Sequence, residues 1–320
     1  MQVSEIRRVA CLGGGVIGAS WALQFAMGGL ETVLYDINAE QLEKSRAQFE
    51  KSLDALEAYE AISPERRAEL SGSIRLTDSV EEAVAGAQFL QESGPERLNI
   101  KRGILAQAEQ YAAPDAIYAS STSGLLISEI AAEAVHPERC VGAHPYNPPH
   151  LIPLVELTKG DRTDPRALET AKAFYQSIGK EPVVLQKECP GFIANRLQLA
   201  LFREVQELVV RGVCSPEDAD KALVYGPGLR WAIFGHHMIM QLGNPEGFTG
   251  MQKMLGNSGD VWLADMAGWT HQPEGYAQLV QPGIDAEMAN FPDYIGHTNA
   301  ECAFYRDRML IALLKLHRKL

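Results

Sequence analysis

A glycine-rich turn directly after a short apolar run constrains the fold of this chain more than any other feature. Leu12 ends the run and is followed by Gly13-Gly14-Gly15-Val16-Ile17-Gly18, which satisfies G-x-G-x-x-G through Gly13, Gly15 and Gly18. The first glycine permits a tight turn, the second lets a pyrophosphate approach the backbone, and the third lets helix and strand pack closely. The unpaired N–H groups at the start of the next helix would bind the phosphates. The motif predicts a dinucleotide site, the alternative being a glycine-rich turn without a ligand.

The second predicted strand ends in an acidic residue. Residues 32–35 form an apolar run, and Asp36 follows it. A carboxylate at this place accepts hydrogen bonds from the ribose hydroxyls and repels a 2′-phosphate. No arginine that could bind such a phosphate stands in Ile37-Asn38-Ala39. The sequence therefore predicts NAD as the cofactor rather than NADP.

Short apolar runs alternate with helical patterns through the first half of the chain. Helical patterns cover residues 16–27, 96–111 and 165–178, and Asn38 stands at the N-cap of a further long helix. This alternation is typical of an α/β, Rossmann-type fold, a mostly parallel sheet with helices on both faces. Strands are predicted at residues 8–12, 32–35, 74–76, 88–91, 116–119, 140–143, 154–157 and 182–185.

The pattern changes after Cys189-Pro190-Gly191, where strand alternation stops. Helices are predicted at residues 192–211, 231–242 and 303–316, with Ser215 as the N-cap of another. We place a boundary near Lys187. The prediction is a Rossmann-type domain over residues 1–187, followed by an all-α C-terminal domain over residues 188–320.

The charge balance argues against nucleic acid and membrane surfaces as partners. Lysine and arginine number 29 against 41 aspartates and glutamates, a net charge of −12, and the basic runs are short. The five cysteines are scattered without a CxxC pair, which is typical of free thiols and not of a zinc site. The N-terminal residues lack a signal-peptide pattern, and no apolar stretch is long enough to span a bilayer. We expect a cytoplasmic protein without a metal site.

A histidine at the end of a predicted strand is the main candidate for chemistry. His144 follows an apolar run, at the edge where ligands bind in open α/β sheets, and the next predicted strand carries Glu156. A carboxylate beside an imidazole fixes the tautomer of the ring and stabilises its protonated form, so such a pair acts as a general base. From these residues alone, a general-base pair and a surface histidine with an unrelated glutamate are both open.

Several separate motifs occur in a fixed order along the chain. They are Gly13–Gly18 with Asp36, Gln91-Glu92 through Pro95-Glu96 to Lys101, Ser120-Ser121-Thr122-Ser123, His144-Pro145-Tyr146-Asn147-Pro148-Pro149 through Glu156, Gly191-Phe192-Ile193-Ala194-Asn195-Arg196-Leu197 and Gly228-Leu229-Arg230-Trp231. With these motifs the chain resembles the 3-hydroxyacyl-CoA dehydrogenase family over essentially its whole length. Within that family it is most similar to the λ-crystallin and L-gulonate 3-dehydrogenase branch, with L-carnitine dehydrogenase a near relative.

The resemblance implies roles for single positions. It makes His144 the catalytic base, Glu156 its partner, and Ser123 and Asn195 the donors that hold the reacting oxygen of the substrate. Without the resemblance, Ser123 would be interpreted as a capping or loop serine and Asn195 as a polar residue on a helix face. The other positions that the resemblance places along the cofactor are Val16, Ile17, Asp36, Glu96, Lys101 and Asn147.

Two stretches bear on the substrate. Arg230 stands in a run that resembles one in the gulonate and carnitine dehydrogenases, whereas the hydroxyacyl-CoA members have no arginine there. A guanidinium suits bidentate capture of a carboxylate, so we predict that Arg230 binds the acid end of the substrate, the alternative being an ordinary ion pair. The helix after the second strand carries basic and hydroxyl side chains, which fit either a CoA contact or a solvated face. These side chains are Lys44, Ser45, Arg46, Lys51 and Ser52.

The resemblance thus implies an NAD-dependent oxidoreductase that converts the 3-hydroxyl of a short, anionic 3-hydroxy carboxylic acid to the 3-keto acid, L-gulonate being the expected type of substrate. The enzymatic alternatives are a short-chain 3-hydroxyacyl-CoA dehydrogenase, acting on 3-hydroxybutyryl-CoA, and an L-carnitine 3-dehydrogenase. An alternative of a different class is a non-catalytic, crystallin-like structural protein. The apolar helices after Gly191 exceed what a small domain buries alone, which predicts a homodimer formed through that domain, as in the family.

Overall fold

The computed structural model describes residues 2–320, and one sheet dominates its first half. In chain order, the strands are β1 (Arg8–Leu12), β2 (Glu31–Tyr35), β3 (Ile74–Thr77), β4 (Phe89–Glu92), β5 (Ile117–Ser120), β6 (Cys140–Pro145), β7 (Leu154–Lys159) and β8 (Glu181–Val184). Every strand predicted from an apolar run is present. For the inner strands the prediction succeeds because strands buried on both faces are continuous apolar segments.

The sheet has the order β3-β2-β1-β4-β5-β6-β7-β8. All neighbouring strands are parallel except β6 and β7, which pair antiparallel. The connection over residues 146–153 is too short for the helical crossover that a parallel pair needs, so β7 returns beside β6. The predicted mostly parallel, Rossmann-type sheet is confirmed.

Helices occupy most of the remaining chain. Their bounds are α1 (Val16–Met27), α2 (Ala39–Ala58), α3 (Pro64–Ser71), α4 (Val80–Val84), α5 (Leu98–Glu109), α6 (Ile127–Ile130), α7 (Pro165–Ser177), α8 (Ala194–Val210), α9 (Pro216–Leu223), α10 (Leu229–Trp231), α11 (His236–Leu242), α12 (Gly247–Asp265), α13 (Tyr276–Ala289) and α14 (Asn299–Leu316). The predicted caps are present: the side chains of Asn38 and Ser215 accept hydrogen bonds at the starts of α2 and α9.

Apolar clusters cover both faces of the sheet. Alternate residues of a strand point to opposite faces. Accordingly, Val9 and Cys11 of β1 pack in one cluster with side chains of α1 and α7, whereas Ala10 and Leu12 pack in another with side chains of α4, α5 and α6. The predicted coverage of the sheet by helices on both sides follows from these two clusters.

The contacts divide the chain into two compact units. The first contains residues up to Asn195 together with Ala303–Leu320, and the second contains Arg196–Cys302. This division differs from the predicted boundary near Lys187 in two respects. Residues 188–195 belong to the first unit. So does α14 from Ala303 onward, because Ile311 and Leu314 pack into an apolar cluster with α1 and α2 side chains.

Among the described residues, the second unit contains helices joined by turns and no strand. Its buried apolar side chains are few, namely Ala219, Ala267 and Val280. The single helix predicted over residues 231–242 is wrong: α10 ends at Trp231, and α11 begins at His236, because Gly235 adopts extended backbone as the N-cap of the next helix. No helix among residues 2–320 combines the length and apolar character needed to cross a bilayer.

Candidate active site

The glycine turn after β1 has the geometry that its spacing predicts. Gly13 adopts a φ of +110°, and a Cβ there would lie 2.9 Å from the backbone of Ser93. A Cβ on Gly18 would lie 1.8 Å from the carbonyl oxygen of Gly13, so only glycine lets α1 start this close to the strand. At Gly15 a Cβ would meet nothing within 4 Å, which leaves open space in front of the backbone.

Gly14 is a functional position that the motif did not single out. Its N–H donates to Oδ2 of Asp36 at 2.7 Å, and its carbonyl oxygen accepts from Nε2 of Gln41 at 2.7 Å and from Oγ of Ser45 at 2.6 Å. Three side chains from the end of β2 and from α2 thus fix the orientation of the two peptide groups on either side of the Gly14 Cα. A Cβ at Gly14 would lie 2.9 Å from Oγ of Ser45. In the sequence, this role was indicated only by the additional glycine between the first two glycines of the G-x-G-x-x-G motif.

These contacts also decide where the hydroxyl groups of α2 point. Ser45 is 1% exposed and bonded to Gly14, and Ser52 is buried, so neither faces solvent. Lys44 pairs with Glu40 and Arg46 with Glu43 on the exposed face. Of the side chains that suggested a CoA contact, Ser45 and Ser52 therefore belong to the packing of α2. Lys44 and Arg46 belong to exposed ion pairs.

A buried ion pair follows β4. Nζ of Lys101 lies 2.9 Å from Oε1 of Glu92, and the two side chains are 1% and 0% exposed. Burial raises the pKa of Glu92, although the charge of Lys101 and hydrogen bonds from Lys101, Ser120 and the N–H of Gly94 oppose the shift. The same ammonium donates to the carbonyl oxygen of Gly94 at 3.2 Å. The pair fixes the segment after β4. Glu92 and Lys101 both stand in the motif that runs from Gln91 to Lys101, but the motif does not reveal that they pair.

Glu96 organises the turn that carries Ser123. Its Oε1 atom accepts hydrogen bonds from the hydroxyl of Thr122 at 2.7 Å, from the N–H groups of Ser123 and Gly124 at 2.9 Å each, and from the N–H of Leu125 at 3.3 Å. Burial alone would raise the pKa of Glu96. The hydrogen bond from Thr122, the charge of Lys101 and the backbone donors outweigh burial and hold this pKa below its usual value.

His144 and Glu156 meet at the end of β6, as the family resemblance implies. The two residues are directly paired in the antiparallel register, and Nδ1 of His144 lies 2.9 Å from Oε2 of Glu156. Both are buried, with 5% and 1% exposed. Because the carboxylate accepts from Nδ1–H, the lone pair of Nε2 is left to accept a proton.

The second oxygen of Glu156 binds the start of α8. Oε1 accepts hydrogen bonds from the N–H groups of Ile193 at 2.8 Å and Ala194 at 2.9 Å. Burial alone would raise the pKa of Glu156, but the hydrogen bond with His144 and these two backbone donors outweigh it, so the pKa lies below its usual value. The carboxylate therefore stays charged beside the imidazole at neutral pH.

Two residues of the Gly191–Leu197 motif touch the imidazole. Nδ2 of Asn195 lies 3.5 Å from Nε2 of His144, at the outer limit of a hydrogen bond. The ring of Phe192 stacks on the imidazole, with 4.9 Å between centroids and 24° between planes. On another side, the rings of His144 and Tyr146 are perpendicular, at 6.1 Å. No role had been predicted for Phe192, because stacking depends on backbone geometry that the motif does not reveal.

Lys180 holds the connection between β6 and β7. Its side chain is buried, and its ammonium donates to the carbonyl oxygens of Pro149 at 2.5 Å and Ile152 at 2.6 Å, 5.3 Å from the ring centroid of Trp21. Burial lowers the pKa of Lys180 to about 7. The connection that sets the pairing of His144 with Glu156 is thus tied to the start of β8.

The other residues predicted for the site lie on different elements of the structure. Ser123 is exposed in the turn after β5, the strand beside β6, and Asn147 is exposed just after β6. Val16 is exposed at the start of α1, with Ile17 half-buried behind it. Arg230 is exposed on α10 in the second unit; among residues 2–320 no ion pair or hydrogen bond involves its guanidinium.

The turn and the acid after β2 fit a dinucleotide. The space in front of Gly15 admits a pyrophosphate where a side chain would block it, and the exposed start of α1 offers N–H groups. Asp36, whose Oδ1 accepts from the N–H of Asn38 at 2.9 Å, stands where ribose hydroxyls are bound in this architecture. The fold and the site together define a dinucleotide-dependent oxidoreductase.

Comparison with known families gives the particular group. The model of the 3-hydroxyacyl-CoA dehydrogenase NAD binding domain matches residues 8–189, and that of the C-terminal domain of the same enzymes matches residues 191–269. The chain belongs to the 3-hydroxyacyl-CoA dehydrogenase family. It is an enzyme of the dehydrogenase class, and its cofactor is NAD, as the sequence predicts.

Curated relatives cover nearly all of the chain. An L-carnitine dehydrogenase of Pseudomonas putida is 38% identical over 98% of this chain and 94% of its own length, and one of Streptomyces griseus is 38% identical over 97% and 90%. A 3-hydroxyacyl-CoA dehydrogenase of Gibberella moniliformis is 40% identical over 82% of this chain and 81% of its own length. Among solved structures, the NAD+ dependent 5-formyl-3-hydroxy-2-methylpyridine 4-carboxylic acid 5-dehydrogenase has a TM-score of 0.81 and 29% identity, covering 97% of this chain and 98% of that one.

Proposed function

We propose that the chain oxidises the 3-hydroxyl of a small free 3-hydroxy carboxylate with NAD+, and that L-carnitine is its substrate. The observation that carries the reaction type is the 2.9 Å contact between His144 and Glu156, with Asn195 beside Nε2 of the same imidazole. The substrate is supported by full-length similarity to L-carnitine dehydrogenases of several bacteria. L-gulonate, the substrate expected from the sequence, has no such support.

The residues divide the chemistry among them. When bound, NAD+ supplies the acceptor for the hydride that leaves the carbinol carbon. Nε2 of His144 takes the proton of the substrate hydroxyl, and Glu156 stabilises the resulting imidazolium. Asn195 and Ser123 donate hydrogen bonds to the oxygen as it becomes a carbonyl. The glycine turn, Asp36, Glu96, Lys101 and Asn147 hold the cofactor or the segments around it.

The choice of a free acid over a thioester rests on two observations. Arg230 is exposed, and within the described residues its guanidinium has no ion-pair or hydrogen-bond partner. It can therefore pair with a carboxylate, whereas a thioester carries no negative charge for it to bind. Ser45 and Ser52 are buried in the packing of α2 and cannot face a CoA arm. Trp231 and Phe234, 41% and 47% exposed near Arg230 in the sequence, are aromatic faces that suit a trimethylammonium group.

NADH formation with four compounds tests the proposal: L-carnitine, L-gulonate, L-3-hydroxybutyrate and L-3-hydroxybutyryl-CoA. We expect L-carnitine to give the highest kcat/KM and the His144→Ala variant to lose activity toward it. Preference for the CoA ester would establish the alternative within the family, and preference for L-gulonate would restore the original expectation. Undiminished turnover by His144→Ala would overturn the assigned base.

Arg230→Met tests the carboxylate contact separately. The variant should raise the KM for L-carnitine at least tenfold, since a charged hydrogen-bonded pair is lost (about 1.5–3 kcal/mol). Arg211→Met is the matched control, because Arg211 lies in the same unit and already pairs with Asp265 at 3.1 Å. Equal KM values in both variants would assign the carboxylate to another residue.

We also propose a homodimer formed through the second unit. Large apolar side chains are exposed on it, and burying such side chains against a second copy would stabilise a dimer. Examples are Leu197, Leu199, Val261, Trp262 and Leu263, all more than half exposed. Sedimentation equilibrium of the wild-type chain and of Leu197→Glu tests this: we expect a dimer that the charged variant dissociates. A monomeric wild-type chain at micromolar concentration would refute it.

A further inference from the structure

Phe192 has a backbone conformation that aromatic residues rarely adopt. Its φ is +51°, directly after Gly191 with a φ of +77°, and its N–H donates to the carbonyl oxygen of Cys189 at 3.0 Å. A bulky side chain in the left-handed region is strained, and such strain persists only where surrounding contacts enforce it. Glycine would adopt this φ without cost, so the aromatic side chain at this position requires an explanation.

The conformation brings four contacts, from four successive residues, to the pair of His144 and Glu156. The ring of Phe192 lies on the imidazole of His144, 4.9 Å away and tilted by 24°. The next two N–H groups reach Oε1 of Glu156 at 2.8 and 2.9 Å, and Asn195 reaches Nε2 of the imidazole. Had the chain continued through Phe192 in extended or helical backbone, these atoms would not all face the same pair.

Packing in the core of the sheet does not explain why position 192 carries an aromatic ring. Phe192 is 3% exposed, yet it belongs to none of the three apolar clusters formed by the described residues. Its neighbours are instead on β6. A Cβ at Gly142, two residues before His144 and on the same face of that strand, would lie 3.8 Å from Cζ of Phe192. The ring therefore covers the part of β6 that presents the imidazole.

From this geometry we propose that Phe192 is a positioning residue that holds the plane of the His144 imidazole and stabilises its protonated state through the face of the ring. This inference rests on the proposed function, in which His144 gains a proton. An aromatic face attracts a cation stacked on it, because the ring quadrupole is negative there. The other groups packed against the imidazole are Glu156 on β7, Tyr146 after β6 and Asn195 on α8, of which Glu156 acts in the same direction.

The sign of the effect follows from the stacking. A cation–π contact is present only when the imidazole is protonated, so removing it makes His144 a weaker base. A weaker base is free of its proton at lower pH, so the acid limb of the kcat/KM profile should move to lower pH. It also takes the substrate proton less readily, so kcat on the alkaline plateau should fall, by roughly threefold to tenfold.

Two variants of the full-length enzyme separate this role from packing. Phe192→Leu keeps an apolar, buried side chain without a ring, and site-specific pentafluorophenylalanine at position 192 keeps the ring and reverses its quadrupole. We expect both to lower kcat for L-carnitine and to shift the acid limb downward, while the KM for NAD+ stays unchanged. If Phe192→Leu does not fold, the fluorinated protein alone decides.

A fluorinated enzyme with the wild-type plateau and acid limb would overturn the proposal and reduce Phe192 to a packing residue. That result differs from failure of the proposed function, which His144→Ala reports independently. An unchanged profile in the fluorinated enzyme alongside an inactive His144→Ala variant would leave the base assigned and the ring without an electrostatic role.

Discussion

His144 and Glu156 are opposite each other on two antiparallel strands, and the oxygen of Glu156 that is not bonded to the imidazole receives two N–H groups at the start of α8. One carboxylate therefore orients the imidazole and anchors the helix that carries Asn195. Negative charge at a helix N-terminus is favourable, so the carboxylate is stabilised in its charged form by both neighbours.

Glu156→Gln should lower kcat about a hundredfold or more, since an amide cannot stabilise the imidazolium as a carboxylate does. The glutamine oxygen can still accept from Ile193 and Ala194, so the fold should survive, which circular dichroism would verify. Glu169→Gln, on the exposed side of α7, is the control. An active Glu156→Gln enzyme would mean that His144 does not depend on this charge.

Asp36→Asn should raise the KM for NAD+ roughly tenfold and narrow the preference over NADP+, with little change in kcat. The amide still accepts one backbone hydrogen bond but loses the charge that binds ribose hydroxyls and repels a 2′-phosphate. Initial rates with both cofactors measure the effect. Asp78→Asn, an exposed carboxylate after β3, should leave both constants unchanged.

Glu96→Ala should lower kcat/KM for the hydroxy acid about tenfold to a hundredfold at saturating NAD+, because the turn that carries Ser123 loses an acceptor of four hydrogen bonds. Glu96→Gln keeps an acceptor oxygen and should recover part of the loss. If both variants change only the KM for NAD+, Glu96 serves the cofactor and not the position of Ser123.

Lys101→Met should reduce the free energy of unfolding by about 3–5 kcal/mol, because it leaves the buried carboxylate of Glu92 without its counter-ion. The double variant Lys101→Met with Glu92→Gln removes the charge and should recover much of the stability. Urea unfolding of the two variants and the wild type gives the comparison. A double variant as unstable as the single one would show that the uncompensated charge is not the cause.

His150 should make stability depend on pH. Its Nδ1 lies 2.7 Å from Oγ of Ser20, and burial, with the charges of Lys180 and Arg306, lowers the pKa of His150 to about 4. An unfolded imidazole binds its proton near pH 6.5, so between these values the unfolded state holds more protons. Stability should therefore fall as the pH decreases from about 6.5 to 4, by up to about 3 kcal/mol.

Urea unfolding at pH 7 and pH 5 measures this loss, and His150→Gln removes the group that titrates. The variant should lose less stability between the two pH values than the wild type. His136→Gln is the control, because His136 is only partly buried. Equal losses in wild type and His150→Gln would assign the acid sensitivity to other groups.

The sequence predicts those parts of the fold that local pattern determines. Buried parallel strands are apolar runs, so the sheet could be anticipated from the runs between residues 8 and 185. The turn after β1 needs glycines at fixed spacing, so the dinucleotide site could be anticipated from residues 8–36. The resemblance supplied His144 and Glu156 as partners. Their direct pairing depends on β7 returning antiparallel, which the apolar pattern of residues 154–157 does not specify.

The roles that were not anticipated depend on tertiary geometry. Phe192 stacks on His144 only because its φ is positive, Glu92 becomes an ion-pair partner only once Lys101 folds over it, and Gly14 is held by side chains from α2. The break between α10 and α11 arises at Gly235, where helical periodicity on both sides concealed it. Periodicity and spacing describe single elements, and these features belong to contacts between elements.

Because β6 and β7 pair antiparallel, the length of the segment between them affects whether Glu156 lies opposite His144. Side chains alternate between the faces of a strand, so a change of length in residues 146–153 that shifted β7 by one position against β6 would turn Glu156 toward the opposite face. The enzyme would keep its dinucleotide turn yet lose the acid behind its histidine. In descendants of this chain, indels in that segment should be rarer than substitutions.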